Sequence, residues 1–69
     1  MDNLLRQDLD NLSEYVDGLQ NRVELLRKVH DNGHRHRLLN EALYYASEAR
    51  MRLQRIVARV EATPDASPP

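Results

Sequence analysis

Sixty-nine residues carrying ten basic and eleven acidic side chains, with a formal charge of −1, allow one small domain and lack the basic excess usual in nucleic-acid binders. There is no cysteine, so no disulfide can staple a core this small, and a reducing compartment is the natural setting. No apolar run approaches the ~20 residues of a membrane span, and "MDNLLRQDLD" lacks the basic-then-apolar order of a secretory leader, so a soluble cytoplasmic protein is expected.

The first element is a helix over about residues 3–31. Leu5, Leu9, Leu12, Val16, Leu19, Val23 and Leu26 recur at alternating spacings of four and three, the seam of an amphipathic helix with a coiled-coil repeat. Asp2 or Asn3 can cap its start, Asp8 and Asp10 lie toward the positive end of its dipole, and Glu24 with Lys28 forms a favourably oriented i,i+4 pair. Gly18 falls on the outward face and reads as a tolerated surface glycine, costing about 1 kcal/mol against alanine. His30 takes the next seam position after Leu26 and would close the end of the core.

The break comes at "HDNGHRH", residues 30–36. Gly33 suits the positive φ of a position just past a helix end, and Asp31 and Asn32 before it favour a turn. Three histidines and an aspartate so close together raise the question of a metal. A helical zinc pair needs i,i+4 ligands, which His30 and His34 supply only if a helix runs through Gly33, and Asp31 and His36 have no evident further partner. The stretch therefore reads as a corner, with no metal and no cofactor.

The second helix is expected over about residues 35–62, with a seam at Leu39, Ala42, Ala46, Ala49, Leu53, Ile56 and Val60. The two runs are out of phase, which excludes one continuous amphipathic helix. Reversal at the corner pairs them antiparallel with residue numbers adding to about 65, so that Leu5 meets Val60, Leu9 meets Ile56, Leu12 meets Leu53, Val16 meets Ala49, Leu19 meets Ala46, and Leu26 meets Leu39. Charge supports this, because residues 1–33 carry seven acids and four bases while residues 34–62 carry six arginines and three glutamates. "TPDASPP", residues 63–69, has the composition of a disordered tail following a hairpin domain of residues 1–62.

The fold class is therefore all-α, a two-helix hairpin. Apolar residues beside the seams widen each stripe toward the three-in-seven face of a bundle helix. Tyr15, Val29, Leu38, Leu43 and Val57 are candidates for a dimer interface closing a four-helix bundle, with a hetero-bundle as the competitor. Tyr44 and Met51 fit neither seam. With Tyr45, Glu48, Arg52 and Arg55 around them they form a candidate strip for a protein partner, since tyrosine, methionine and arginine are enriched at interfaces. Isolated apolar residues on a surface are also ordinary.

Chemistry has little to stand on. There is no cysteine nucleophile and no glycine-rich phosphate loop, Ser13 and Ser47 have no nucleophile-elbow context, and two thin helices offer no deep pocket, so the chain is read as no enzyme. Arg52, Arg55 and Arg59 share a broad face that could bind phosphates as an RNA site, or could pair with carboxylates of the first helix.

In plan the chain resembles three families of small proteins. The Rop family of plasmid copy-number regulators implies a dimeric hairpin that binds paired RNA loops, but the corresponding helix-1 face here carries Asp8, Asp10, Glu14 and Asp17. The small co-chaperones of type III secretion needles imply a hairpin that works as a heterodimer, and "LLNEALYYASEARMRLQRI" shows no motif diagnostic of them. Phage-encoded quorum-sensing anti-activators are similar in length and in an arginine-rich hairpin plan, with "YYASEARMR" (44–52) as the contact strip. That resemblance implies a protein inhibitor that occludes a bacterial transcription regulator.

Overall fold

The computed structural model describes residues 3–62; the cap candidate Asp2 and the expected tail 63–69 lie outside the described residues. Two helices, α1 (Asn3–Lys28) and α2 (Asn32–Ala62), pack against each other as an all-α hairpin. Cross-helix contacts keep the expected antiparallel register. Arg22 reaches Glu41, Asp8 reaches Arg55 and Arg59, and Tyr15 lies under Arg52, so paired residue numbers add to 63–67.

The corner is tighter than expected and is built differently. Helix α1 stops at Lys28 rather than at 31, and α2 starts at Asn32 rather than at 35, which leaves three residues to reverse the chain. Gly33 lies inside the first turn of α2, and no described residue has a positive φ. The reason is Asp31. Its carboxylate accepts a hydrogen bond from the His34 amide at 2.9 Å, and its own carbonyl accepts the Arg35 amide at 2.9 Å, the geometry of an N-cap. The Arg35 guanidinium then donates back to the Val29 carbonyl at 2.7 Å, satisfying a carbonyl just past the end of α1. "DNG" thus opens the second helix instead of closing the first. His30 is exposed outside both helices, and the half-buried Val29 takes the place at the end of the core expected for it.

The seams have the expected register but a different rotation. On α1 the residues turned toward α2 are Leu5, Asp8, Leu12, Tyr15, Leu19, Arg22 and Leu26, with spacings of three and four that Val29 continues just past the helix end. The other half of the expected seam, Leu9, Val16 and Val23, is exposed. On α2, Leu39, Leu53 and Val60 are likewise exposed, while Leu38 and Ile56 are buried at 3% and 8% of full accessibility. Exchanging Leu9, Val16 and Val23 for positions one residue earlier turns α1 by about half a residue step, roughly 50°. Leu9, Leu53 and Leu39, expected to face Ile56, Leu12 and Leu26, therefore remain largely exposed in the hairpin. The 4-3 seams point between the neighbouring helix and open space.

Gly18 is a contact point, contrary to its surface reading. A Cβ at this position would stand 2.7 Å from Tyr45 Cε1 and 2.8 Å from Cδ1, well inside van der Waals distance. The Tyr45 ring lies over the α1 backbone there, and the Arg22 guanidinium sits 4.7 Å from the ring centroid. Gly18→Ala is therefore expected to destabilise the hairpin by about 1–2 kcal/mol, because displacing a packed ring outweighs the gain in helix propensity. A urea titration followed by helicity checks this; a stabilised variant would mean that Tyr45 swings away without cost.

Candidate protein-binding surfaces

One flank of the hairpin is closed by a ladder of charged and aromatic side chains. Asp8, 6% exposed, lies 3.7 Å from Arg55 and 3.4 Å from Arg59. One turn or two further along, Tyr15 meets Tyr44 and Tyr45 with ring centroids 6.3 and 6.0 Å apart, and Tyr44 and Tyr45 are 5.4 Å apart in an edge-to-face arrangement. Arg52 lies 4.5 Å from the Tyr15 ring centroid and is held by Glu48 at 2.8 Å. Arg22 stacks on Tyr45 and donates from Nε to Glu41 at 3.1 Å. The pKa of the Tyr44 phenol is raised above its ordinary value of 10.0, first by hydrogen bonding to Tyr15, with the charge of Glu48 adding to it.

This ladder divides the expected partner strip. Tyr44 and Met51 are exposed, as a contact surface requires. Tyr45, Glu48 and Arg52 are half-buried and make contacts within the chain, and Arg55 reaches Asp8 while remaining largely exposed. The strip is thus two apolar side chains on a braced base. The arginine patch considered for phosphates is spoken for by Asp8, Glu48 and Tyr15. Asp8 belongs to the helix interface, which leaves Asp10, Glu14 and Asp17 on the outward acidic face of α1. Glu24 pairs with Arg27 at 3.9 Å in place of the expected Lys28.

The opposite flank is apolar and open. Leu9, Val16 and Val23 on α1 and Leu39, Leu53 and Val60 on α2 are exposed, each set at multiples of seven residues, with Leu43 and Val57 extending the α2 stripe. Among the expected dimer contacts, Leu43 and Val57 stand on this face, whereas Leu38 is buried within the chain, and Tyr15 and Val29 are half-buried within it. Beside the α1 stripe runs a shallow groove of about 470 Å³ lined by Leu19, Gln20, Val23, Glu24 and Arg27. Among the described residues no group of three His, Asp or Glu side chains gathers to hold a metal ion, and no helix is long and apolar enough to cross a membrane.

No family model, no curated protein and no solved structure matches this chain. Its function must be read from these two faces.

Spacing alone carries a signal for the ladder. Asp8, Tyr15 and Arg22 recur every seven residues, as do Glu41, Glu48 and Arg55, and Tyr45, Arg52 and Arg59. Polar and aromatic heptads of opposite charge on two antiparallel helices mark a zipped edge, and they are visible before any coordinate is known.

Proposed function

We propose that this protein is a non-catalytic binding module that works as a homodimer of hairpins and inhibits a protein target by covering its working surface. The observation that carries the reading is the division of the hairpin into two faces. A continuous apolar face lies open on one side, and Tyr44 and Met51 stand exposed on a braced aromatic base on the other. The first suits a permanent partner, because a stripe of exposed leucine and valine at heptad spacing is costly to leave in water. The second suits an exchangeable target, since a ring and a flexible thioether bury area without fixing one geometry.

A bacterial transcription regulator, as for phage-encoded anti-activators, is the class of target this reading names. A Rop-like RNA site is disfavoured because Arg52, Arg55 and Arg59 already neutralise or stack on groups of this chain. A secretion co-chaperone would place a heterologous helix on the apolar face instead.

The test is capture of protein targets by tagged chain from cells expressing it. Tyr44→Ala with Met51→Ala is expected to weaken capture at least a hundredfold, as two interface anchors at about 1.5 kcal/mol each would. Helicity and oligomeric state should be retained. Because the Tyr44 ring also touches Tyr15 and Tyr45, Met51→Ala alone serves as the variant that leaves the ring cluster intact. Capture unchanged in both variants overturns the strip, and capture of RNA that salt strips away would replace the reading with phosphate binding.

A further inference from the structure

We infer that the open face is closed by a second copy packed like helix on like helix, α2 against the partner's α2 and α1 against the partner's α1, with the two corners at opposite ends of the bundle. The inference rests on the dimer proposed above and specifies its contacts.

The area is sufficient. Leu9, Val16, Val23, Leu39, Leu43, Leu53, Val57 and Val60 are between 37% and 66% exposed in the single chain. Together they offer on the order of 650 Å² per chain, so two copies bury about 1,300 Å², which enters the range of stable protein interfaces.

The two helices offer unlike surfaces to a newcomer. On α2 the flank beyond the seam continues the apolar stripe through Leu43 and Val57, interrupted by Arg50. On α1 the flank beyond Leu9, Val16 and Val23 is polar, made of Arg6, Ser13, Gln20 and Arg27, with Asp10, Asp17 and Glu24 further round. Both ways of building an antiparallel bundle satisfy the helix dipoles, so side chains decide. Setting α1 beside the partner's α2 would place Leu43 at the level of Gln20 and Glu24, and Val57 at the level of Arg6 and Asp10, leaving apolar groups against charged ones.

Like-on-like packing sorts them. Across the two-fold axis Leu39 and Leu43 fall opposite the partner's Leu53, Val57 and Val60, while the small Ala46 and Ala49 near the axis let the α2 backbones approach. Between the α1 helices, Leu9 falls opposite the partner's Val23, Val16 meets its own copy, and Arg6 and Asp10 fall near the partner's Glu24 and Arg27. Arg50 lies near its own copy, but at the solvent edge, where like charges turn apart and are screened.

The chain has no cysteine, so a single His30→Cys substitution at the exposed corner takes one spin label per protomer. Pulsed EPR on the full chain, with light scattering for mass, reads the arrangement. Like-on-like packing places the corners at opposite ends, with labels about 45 Å apart from the 1.5 Å rise per residue. Unlike packing brings them within roughly 20 Å, one bundle width. A dimer with the long distance supports the inference. A dimer with the short distance overturns this packing and leaves the dimer standing, and a monomer at all concentrations overturns both.

Discussion

Leu53→Asp is expected to abolish the dimer at micromolar concentration and with it most of the helicity. In the isolated hairpin Leu53 is half exposed, so an acid there should change stability by no more than about 0.5 kcal/mol. In the closed bundle the same substitution places one carboxylate per chain in an apolar interface. Desolvating the two should weaken association by a thousandfold or more. The consequence for folding follows from the size of the core. Only Leu38 and Ile56 are buried apolar side chains among the described residues, and none falls below 2% exposure. A core that small does not offset the entropy of ordering about sixty residues, so folding and association should be one transition. The wild-type melting temperature should accordingly rise by on the order of 5 °C for each tenfold increase in concentration. Circular dichroism melts at two concentrations, with sedimentation of L53D, check both. A monomeric L53D chain of full helicity would show that the hairpin stands alone, and an unchanged dimer would show that this face is not the interface.

The same balance explains what was legible in the sequence. The two helices and their antiparallel register follow from spacing, because a 4-3 apolar repeat and a phase break have few other solutions. The rotation of the helices does not. A seam reports the direction of the whole apolar environment, and in the dimer proposed above part of that environment would belong to a second molecule, which would turn the seam away from the nearest helix of its own chain. Leu9 and Val16, expected in the seam, are exposed in the hairpin, and Asp8 and Tyr15 occupy the places facing α2. Each helix boundary at the corner lies three residues earlier than the spacing predicts, for a local reason. Asp31 and Gly33 fit either the end of one helix or the start of the next, and one hydrogen bond from His34 to the Asp31 carboxylate decides it. The role of Gly18 depends on Tyr45, twenty-seven residues away, and no local pattern reveals it.

On the binding side, Tyr44 and Met51 were legible as residues that fit neither seam, and they are exposed. Their neighbours were harder. Tyr45, Glu48 and Arg52 share the composition of an interface because the inner edge of the hairpin uses the same chemistry, with arginines stacked on tyrosines and paired with acids. The Asp8 contacts show why composition misleads. An aspartate near the start of a helix is explained by the dipole alone, and nothing local says that Arg55 and Arg59 come back to meet it. Such a partly buried ion pair adds little net stability, but it penalises registers that would leave Asp8 without a cation. The ladder thus fixes which residues of the two helices face each other, and the apolar face stays exposed in the single hairpin.

Ile56→Ala separates the hairpin's own packing from the dimer's. Ile56 is 8% exposed in the single chain, so its cover comes almost entirely from the hairpin itself. Truncation removes three carbons and leaves a cavity that neighbouring helix backbones cannot fill, costing about 2–4 kcal/mol per chain. In a dimer that unfolds in one step the loss is felt twice, about 4–8 kcal/mol per dimer. Val57→Ala is the matched control. It is 46% exposed in the single chain and should cost little unless a second copy covers it, in which case about 1 kcal/mol per chain is expected. Denaturant melts of both variants across a range of concentrations read the difference. Ile56→Ala lowering stability while Val57→Ala does nothing would describe a lone hairpin, whereas losses in both, with Ile56 the larger, describe a hairpin completed by its partner.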